Sequence, residues 1–546
     1  VVETMLTHAL KAYSTIIRAV PSPLKPRRRI PTELGSAIKT LKLGVPQEEI
    51  TGKAISAGLC TGAFLLILAF FNFDVSLPII AIFLSATTVM FLLYFPVAVF
   101  RVKKARITSD SIAFLLSFTT HLRHANQETA YHRAIQGLSP EFKEPWLMLR
   151  LGEATSISEA LVRLASRLRP YSHQLHSVFI NAASEVQEAE PDYTALLKES
   201  LSALQVENSI ELGRFAEKIR GAIAIVSFTP LMLYMTLPFA SAFTGYSVDL
   251  AFLAASIGVI AISLTAFLYL LSHYPSAASF ADLSKVEGLR SPSYRYMGVA
   301  FGILLPLSIF YPIFLTLLGT FLIVFALKSH RVTGYLEALK QELASLPLEL
   351  KEVSRRLKRG EPLEEALRGC SSHAMRAMRH RAAKRLFPER IFAIVEDTLH
   401  HLRNSGDALG KTLEELGEFI RELLNYRSVL SARMESPRGS LFLLFILLPV
   451  LSLFSLWAFN FIAQVSSTSS MSTPYLEIIS LSLISRPPNV ELVLGFMTPA
   501  IIACMTLFTF LSVLCEDTVA PQLLKAKTAT LGAGTLILGA GETLLF

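Results

Sequence analysis

Hydrophobic and polar positions alternate on two scales along this chain. At the coarse scale, apolar runs long enough to cross a bilayer, alone or as pairs, fall at 55–71, 75–100, 222–244, 250–271, 296–327, 441–463 and 492–514, with a weaker one at 528–545. Two long charged segments, 101–221 and 328–438, lie between them, each entered from apolar helices and each leading back into them. At the fine scale both segments have helical periodicity and little strand signal. Leu413, Leu416, Phe419, Ile420, Leu423 and Leu424 share one stripe, with Glu414, Glu415, Glu418 and Glu422 off it, which predicts a core-facing helix of a bundle. Breaks at Gly360, Pro388 and Gly406 predict two helical hairpins within the second segment.

The expected fold class is all-α: a polytopic helical membrane protein of about nine spans, with two cytoplasmic helical bundles forming an internal repeat. Residues 1–54 read as a short amphipathic helix, a basic linker (Pro21, Pro23, Pro26, then Arg27, Arg28 and Arg29) and a second helix, the basic triplet suiting contact with membrane lipids. A helix pair at 55–100 precedes the first bundle at 101–221. A second pair at 222–272 and a cytoplasmic loop at 273–295 follow. A membrane hairpin at 296–327 then enters the second bundle at 328–438, and 439–546 holds the last membrane helices around an external loop at 464–490. The stretch 296–327 is long for one span. As a single helix it would put the two bundles on opposite sides, so two short helices turning near Tyr311 and Pro312 are expected. Each would cover about 24 Å of a ~30 Å core, which leaves full crossing and a re-entrant hairpin both open.

Composition agrees with this layout. The chain has 546 residues, 52% hydrophobic and 17% charged, with a mean hydropathy of +0.48, too apolar for an ordinary soluble protein and too charged to be wholly embedded. Of the 51 Lys and Arg residues, all but Arg486 fall in 1–54, 101–221, 273–295, 328–438 and 515–527. The positive-inside rule therefore places the amino terminus and both bundles in the cytoplasm of a multi-pass cell-membrane protein. The net charge of +8 follows from that topology and implies no nucleic acid partner. The first apolar run starts too far in for a signal peptide, so the amino terminus is expected to be retained. Cys60, Cys370, Cys504 and Cys515 have no paired spacing, and neither disulfide nor metal is expected.

The two segments share an order of features. Gly152-Glu153 before Ser158-Glu159-Ala160-Leu161 matches Gly360-Glu361 before Glu364-Glu365-Ala366-Leu367. Asp192, Glu199, Leu201 and Leu204 match Asp407, Glu414, Leu416 and Phe419, and Pro230 and Pro449 sit alike in the following membrane helices.

Leu357-Lys358-Arg359-Gly360-Glu361-Pro362-Leu363-Glu364-Glu365-Ala366-Leu367, Phe387-Pro388-Glu389, and Asn404-Ser405-Gly406-Asp407-Ala408-Leu409 with Leu413-Glu414-Glu415-Leu416 resemble the type II secretion system F family. These are the membrane platform proteins of secretion systems, type IV pili and the archaellum, and Leu43-Gly44-Val45-Pro46-Gln47-Glu48-Glu49 resembles the family's lead into its first membrane helix. The resemblance covers residues 40–515. The first segment departs from it, with Glu190 and Pro191 where a glycine turn belongs. Helix pairs before both bundles look more like the archaeal platforms than the three-span bacterial ones. The resemblance implies a non-enzymatic scaffold, a homodimer, that docks a cytoplasmic hexameric secretion ATPase and couples its motion to insertion of pilin-like subunits, with no cofactor. The alternative is a polytopic transporter built from two repeated halves.

Candidate chemistry is sparse. Gly406 to Thr412 ends in Gly-Lys-Thr like a phosphate-binding loop, but only three residues separate its glycines, Ser405 stands where the first glycine belongs, and the flanks are helical. A helix start is the plainer reading. His121 with His124 and His173 with His176 have i, i+3 spacing without a completing ligand. Charged residues near the spans (Asp74, Asp249, Arg438, Glu491, Glu542) are expected at their edges, which argues against an ion-coupled path. Pro230, Pro238, Pro449 and Pro499 are candidate kinks. The cations Arg355, Arg356, Lys358 and Arg359, with Arg376, Arg379, Arg381, Lys384, Arg385 and Arg390, are the candidate ATPase-docking surface, their rival reading being a solvated or lipid-facing helix face.

Overall fold

The computed structural model describes residues 10, 12–18, 32–41, 43, 47–72, 76–122, 125–136, 138–188, 193–244, 248–275, 279–280, 294–308, 311, 313–387, 389–403, 406–468, 490–516, 518–519 and 523–545. The basic triplet, Asp74, Pro312, Glu190, Pro191, Pro388 and the loop 469–489 lie outside this set. The chain is an all-α polytopic membrane protein; one two-residue parallel pairing, Ser279–Phe280 with Thr518–Val519, is the strand structure among the described residues.

Four helices give the molecule its shape. α1 (Thr32–Thr40) and α2 (Gln47–Asn72) lead to α3 (Ser76–Leu122), which leaves the apolar run 75–100 and continues unbroken into the first bundle. The bundle is completed by α4 (Gln127–Ala134), α5 (Pro140–Arg150), α6 (Ile157–Leu168) and α7 (His173–Glu185), and α8 (Tyr193–Thr244) returns to the apolar layer. After α9 (Val248–Ser272) and α10 (Tyr294–Ser308), α11 (Ile313–Lys358) enters the second bundle in the same way. Its short members are α12 (Leu363–Arg368), α13 (His373–Arg379), α14 (Ala383–Leu386) and α15 (Arg390–His401). The 63-residue α16 (Gly406–Thr468) leads out, followed by α17 (Val490–Leu514) and α18 (Leu523–Leu545). The boundaries expected at 101, 221, 328 and 438 are therefore changes of surroundings along a continuous helix, since backbone hydrogen bonding is satisfied within a helix in lipid and water alike.

Among the described residues, seven helices are long and apolar enough to cross a membrane. The other two of the nine expected spans fall short by different measures. α10 is an apolar helix of 15 residues that ends at Ser308, and α11 begins at Ile313; the turn expected near Tyr311 and Pro312 falls largely outside the described residues. α18 carries Lys525, Lys527 and Glu542.

α11 and α16 pack on each other through matching heptads. Val332, Leu336, Leu339, Leu343, Leu346, Leu350, Val353 and Leu357 recur every three or four residues and are all buried, as are Leu409, Leu413, Leu416, Ile420 and Leu423 opposite them. Glycines let the two backbones close up. Ser354 Oγ donates to Gly410 O at 2.6 Å, and a Cβ at Gly417 would meet Pro347 O at 3.2 Å. The first bundle is instead filled by rings: Phe114 lies 5.2–5.7 Å from Phe118, Tyr131, Phe142 and Phe179.

Proline shapes the apolar layer through the carbonyls it frees. Pro96 inside α3 has no N–H to give to the carbonyl of Leu92, and the buried Tyr13 hydroxyl donates to that oxygen at 2.7 Å, its ring 5.5 Å from Phe95. Tyr13 and Ile17 thereby join Leu34, Ile38, Leu43 and Ile50 in a separate core over α2 and α3. Pro449 frees Phe445 O, which lies against Gly534 of α18, where a Cβ would stand 2.9 Å from it. The helices run on through Pro230, Pro238, Pro449 and Pro499. In α18 two glycine pairs seven residues apart lie on two faces. Gly532 and Gly539 meet Gly319 and Thr316 of α11, and Gly534 and Gly541 meet Phe445 and Leu453 of α16. A helix without side chains at these four positions fits between the two long ones.

One expectation is corrected. Glu542 does not sit at a solvated edge; it is 1% exposed and accepts a hydrogen bond from Thr498 Oγ1 of α17. Packing of α17 against α18 closes over it.

A candidate docking surface and the seam between the bundles

The cation-rich face of the second bundle is organised by carboxylates of α11. Glu349 accepts from Ser372 N at 2.8 Å and from the hydroxyls of Ser371 and Ser372, while Glu342 accepts from Ala374 N at 2.9 Å, so the start of α13 is fastened to α11. The loop 369–372 between α12 and α13 has an arginine on each side. Arg356 lies across Gly369, where a Cβ would fall 1.9 Å from its Nη1, and Arg376 donates to Ser371 O at 3.0 Å. The structure thus brings together the two cation groups that the sequence separates by about 20 residues.

Many of these cations are already engaged. Arg355 and Arg356 pair with Glu352 at 3.2 Å, Lys358 pairs with Glu414, and Arg376 is spent on the carbonyls of Ser371 and Ser372. Arg359 and Arg381 are exposed and Arg379 is half-buried, none with an ion pair among the described residues. The side chains of Lys384 and Arg385 lie outside the described set. Arg381 has φ +54°, closing α13 in the left-handed conformation with its N–H on Met378 O, a position where glycine is the usual occupant.

Arg390 does something else. Its guanidinium pairs with Asp110 of α3, and that carboxylate, 3% exposed, also accepts from the backbone N–H (2.9 Å) and hydroxyl of Ser139 ahead of α5. It is a joint between the bundles rather than part of an open surface. Around it, Lys198 faces Glu418 at 3.8 Å, Arg433 donates to Ser209 O at 2.8 Å, and the His121 ring lies 5.9 Å from that of His401. A cavity of about 30 Å³ between Leu116, Thr120, Leu197, Thr412 and Phe419 leaves room for little more than one water. Burial pushes the His121 imidazole below its ordinary pKa, with Arg133 of α4 and His401 acting the same way against the Ser117 carbonyl and Asp397. His121 Nδ1 is on Ser117 O at 2.7 Å, and Nε2 is buried without a partner.

At the foot of the first bundle the basic residues that follow the apolar run form a lock. Arg101 pairs with Glu211 at 2.8 Å, and Lys104, 8% exposed at its side chain, pairs with Glu207 at 2.8 Å and Glu211 at 2.9 Å. Burial raises the Glu211 pKa, but the charges of Lys104 and Arg101 outweigh it and hold the carboxyl below its ordinary value. At the foot of the second bundle Arg438 donates to Cys515 O at 2.8 Å, and Lys527 reaches Glu516 at 2.7 Å.

Gly406 to Thr412 form the first turns of α16, with Thr412 Oγ1 on Ala408 O, so the Gly-Lys-Thr string is helix and not a phosphate loop. Among the described residues no group of three His, Cys, Asp or Glu is placed to hold a metal ion.

With this geometry in place, comparison with known families is specific to the second bundle. Residues 336–456 match the family model of type II secretion system (T2SS) protein F. The matched segment takes in the charged part of α11, the short helices α12 to α15, and α16 into the apolar layer. Its bounds enclose all ten candidate docking cations and leave out the first bundle. No curated protein and no solved structure matches the chain.

Proposed function

We propose that this protein is the integral membrane platform of a type IV pilus-like or archaellum assembly machine. Both bundles face the cytoplasm, the second docks a hexameric secretion ATPase, and the long helices carry its motion to pilin-like subunits in the membrane. The observation that carries this reading is the T2SS F domain lying on α11 and α16, the two helices that run without a break from bundle to apolar layer. The surface best suited to docking is the loop 369–372 with Arg359, Arg379 and Arg381 about it, because these cations keep no acidic partner of their own among the described residues. The two bundles together form a repeat within one polypeptide, related by element order rather than by the glycines that first suggest it. Gly152 closes α5, whereas Gly360 closes α11. The serine-capping carboxylates Asp110 with Ser139 and Glu349 with Ser372 pair off instead.

The test is co-purification of the full chain with its hexameric ATPase, with Arg359, Arg379 and Arg381 reversed to Glu together. Loss of the complex with an unchanged melting profile is expected; undiminished binding would remove this surface. The transporter reading rests on Glu542, a carboxyl packed among spans. Solute uptake into liposomes that is abolished by Glu542→Gln would favour it over the platform.

A further inference from the structure

A groove of about 760 Å³ opens between α1 and the first bundle, lined by Ser36 of α1, by residues 169–174 ahead of and within α7, and by Ser177 and Glu207. One ring ties it to the end of the apolar run. Tyr171, on its wall, stacks on Phe100 with centroids 5.6 Å apart and planes 8° apart, and Phe100 is the last residue of the apolar run before Arg101. Lys103 Nζ lies 5.8 Å from the centroid of the same tyrosine. The wall of the groove is therefore tied to the end of the apolar run, where headgroups would lie.

Its chemistry is that of an anion site. Arg169 and His173 are exposed at its rim, without an ion pair among the described residues, and Ser36, Gln174 and Ser177 add neutral donors. Glu207 does not cancel the Arg169 charge, because its carboxylate is held by Lys104 Nζ at 2.8 Å and by Ser172 Oγ at 2.7 Å. The end of α7 is not the binding element either, since Ser172 Oγ already accepts from the N–H groups of Gln174 and Leu175. The binding groups are side chains, the Arg169 guanidinium and the His173 imidazole, with the Ser177 hydroxyl beside them, a set that suits a phosphate oxygen.

We infer that this groove binds the phosphate headgroup of an anionic phospholipid, entering sideways from the bilayer while its acyl chains remain in the hydrocarbon. The bound lipid bridges α1 to the first bundle and seats the amino-terminal core on the bundle's foot. A juxtamembrane cation contributes about fivefold to retention of an anionic lipid. The full chain reconstituted in nanodiscs of phosphatidylcholine with and without anionic phosphatidylglycerol, then released for native mass spectrometry, tests this. Wild type retains the anionic lipid, and Arg169→Glu with His173→Glu loses that retention about tenfold or more while its melting temperature in pure phosphatidylcholine is unchanged. Arg214→Glu, an exposed cation on α8 outside the groove, leaves retention as it was. Equal loss with Arg214→Glu would mean diffuse surface attraction and overturn the site. Thermal protection by free glycerol phosphate equal to that by the lipid would overturn the lipid assignment in favour of a soluble phosphate.

Discussion

At the residue scale, the contact between Tyr13 and Leu92 shows how a helix-breaking proline can create an attachment point. Tyr13→Phe should destabilise the protein by about 1–2 kcal/mol, the range for a lost buried hydrogen bond. In a Pro96→Ala background, where the helix supplies its own N–H to Leu92 O, the same change should cost far less. Equal costs in both backgrounds, read by thermal melting of the detergent-solubilised chain, would refute the link between the proline and the tyrosine. Arg381 poses a separate question, because its left-handed conformation favours glycine. Arg381→Gly should raise stability by roughly 0.5–1 kcal/mol and weaken ATPase binding, separating backbone strain from charge. A variant that loses stability, or keeps full binding, would deny the arginine that role. His121 sets a pH dependence. Its folded pKa is depressed, so its contribution to the seam is complete above the ordinary histidine value near ~6.5 and is lost as pH falls through the folded value. Cross-linking between α3 and α15 should weaken on mild acidification, and His121→Gln should flatten that response.

At the element scale, α18 works by what it lacks. Gly532→Val would put a side chain where even a Cβ comes within 2.9 Å of Gly319 O, and separating α18 from α11 should cost about 1–3 kcal/mol or more. Gly298→Val on α10, where a Cβ meets nothing within 4 Å, is the matched control and should be tolerated. Some of this was legible in the sequence and some was not. The apolar stripe from Leu413 to Leu423 predicted a core-facing helix because it needs only local spacing. The heptads of α11 carry the same signal but are read as bundle only once they are seen to continue an apolar run. The breaks at Gly360 and Gly406 are visible, but α12 to α15 are four short helices rather than hairpin arms, and the start of α13 is set by the Ser372 cap and by carboxylates from α11 that sequence spacing does not reveal. The cation cluster was found as composition, and its division into paired, joint-forming and exposed members was hidden because Asp110 lies 280 residues from Arg390. Glu542 reads as an edge residue in the sequence because its cover comes from a helix more than 40 residues away.

At the scale of the whole molecule, the two bundles are joined to each other through Asp110 and Arg390 and to the apolar layer through four continuous helices. Asp110→Asn should loosen the bundles without unfolding either one, seen as faster proteolysis at the seam with helical content retained. Unchanged proteolysis would place the joint elsewhere. The length of α16 has a mechanical consequence. With 63 residues it is about 95 Å long, with roughly 50 Å before the Arg438 end of the bundle and about 45 Å beyond it. Pivoted where Arg438 grips Cys515, a tilt of about 5° would sweep each end through roughly 4 Å in opposite directions, close to the rise of three helical residues. A push on the bundle would thus become a counter-stroke at the other end of the helix, with no part of the chain needing to unfold.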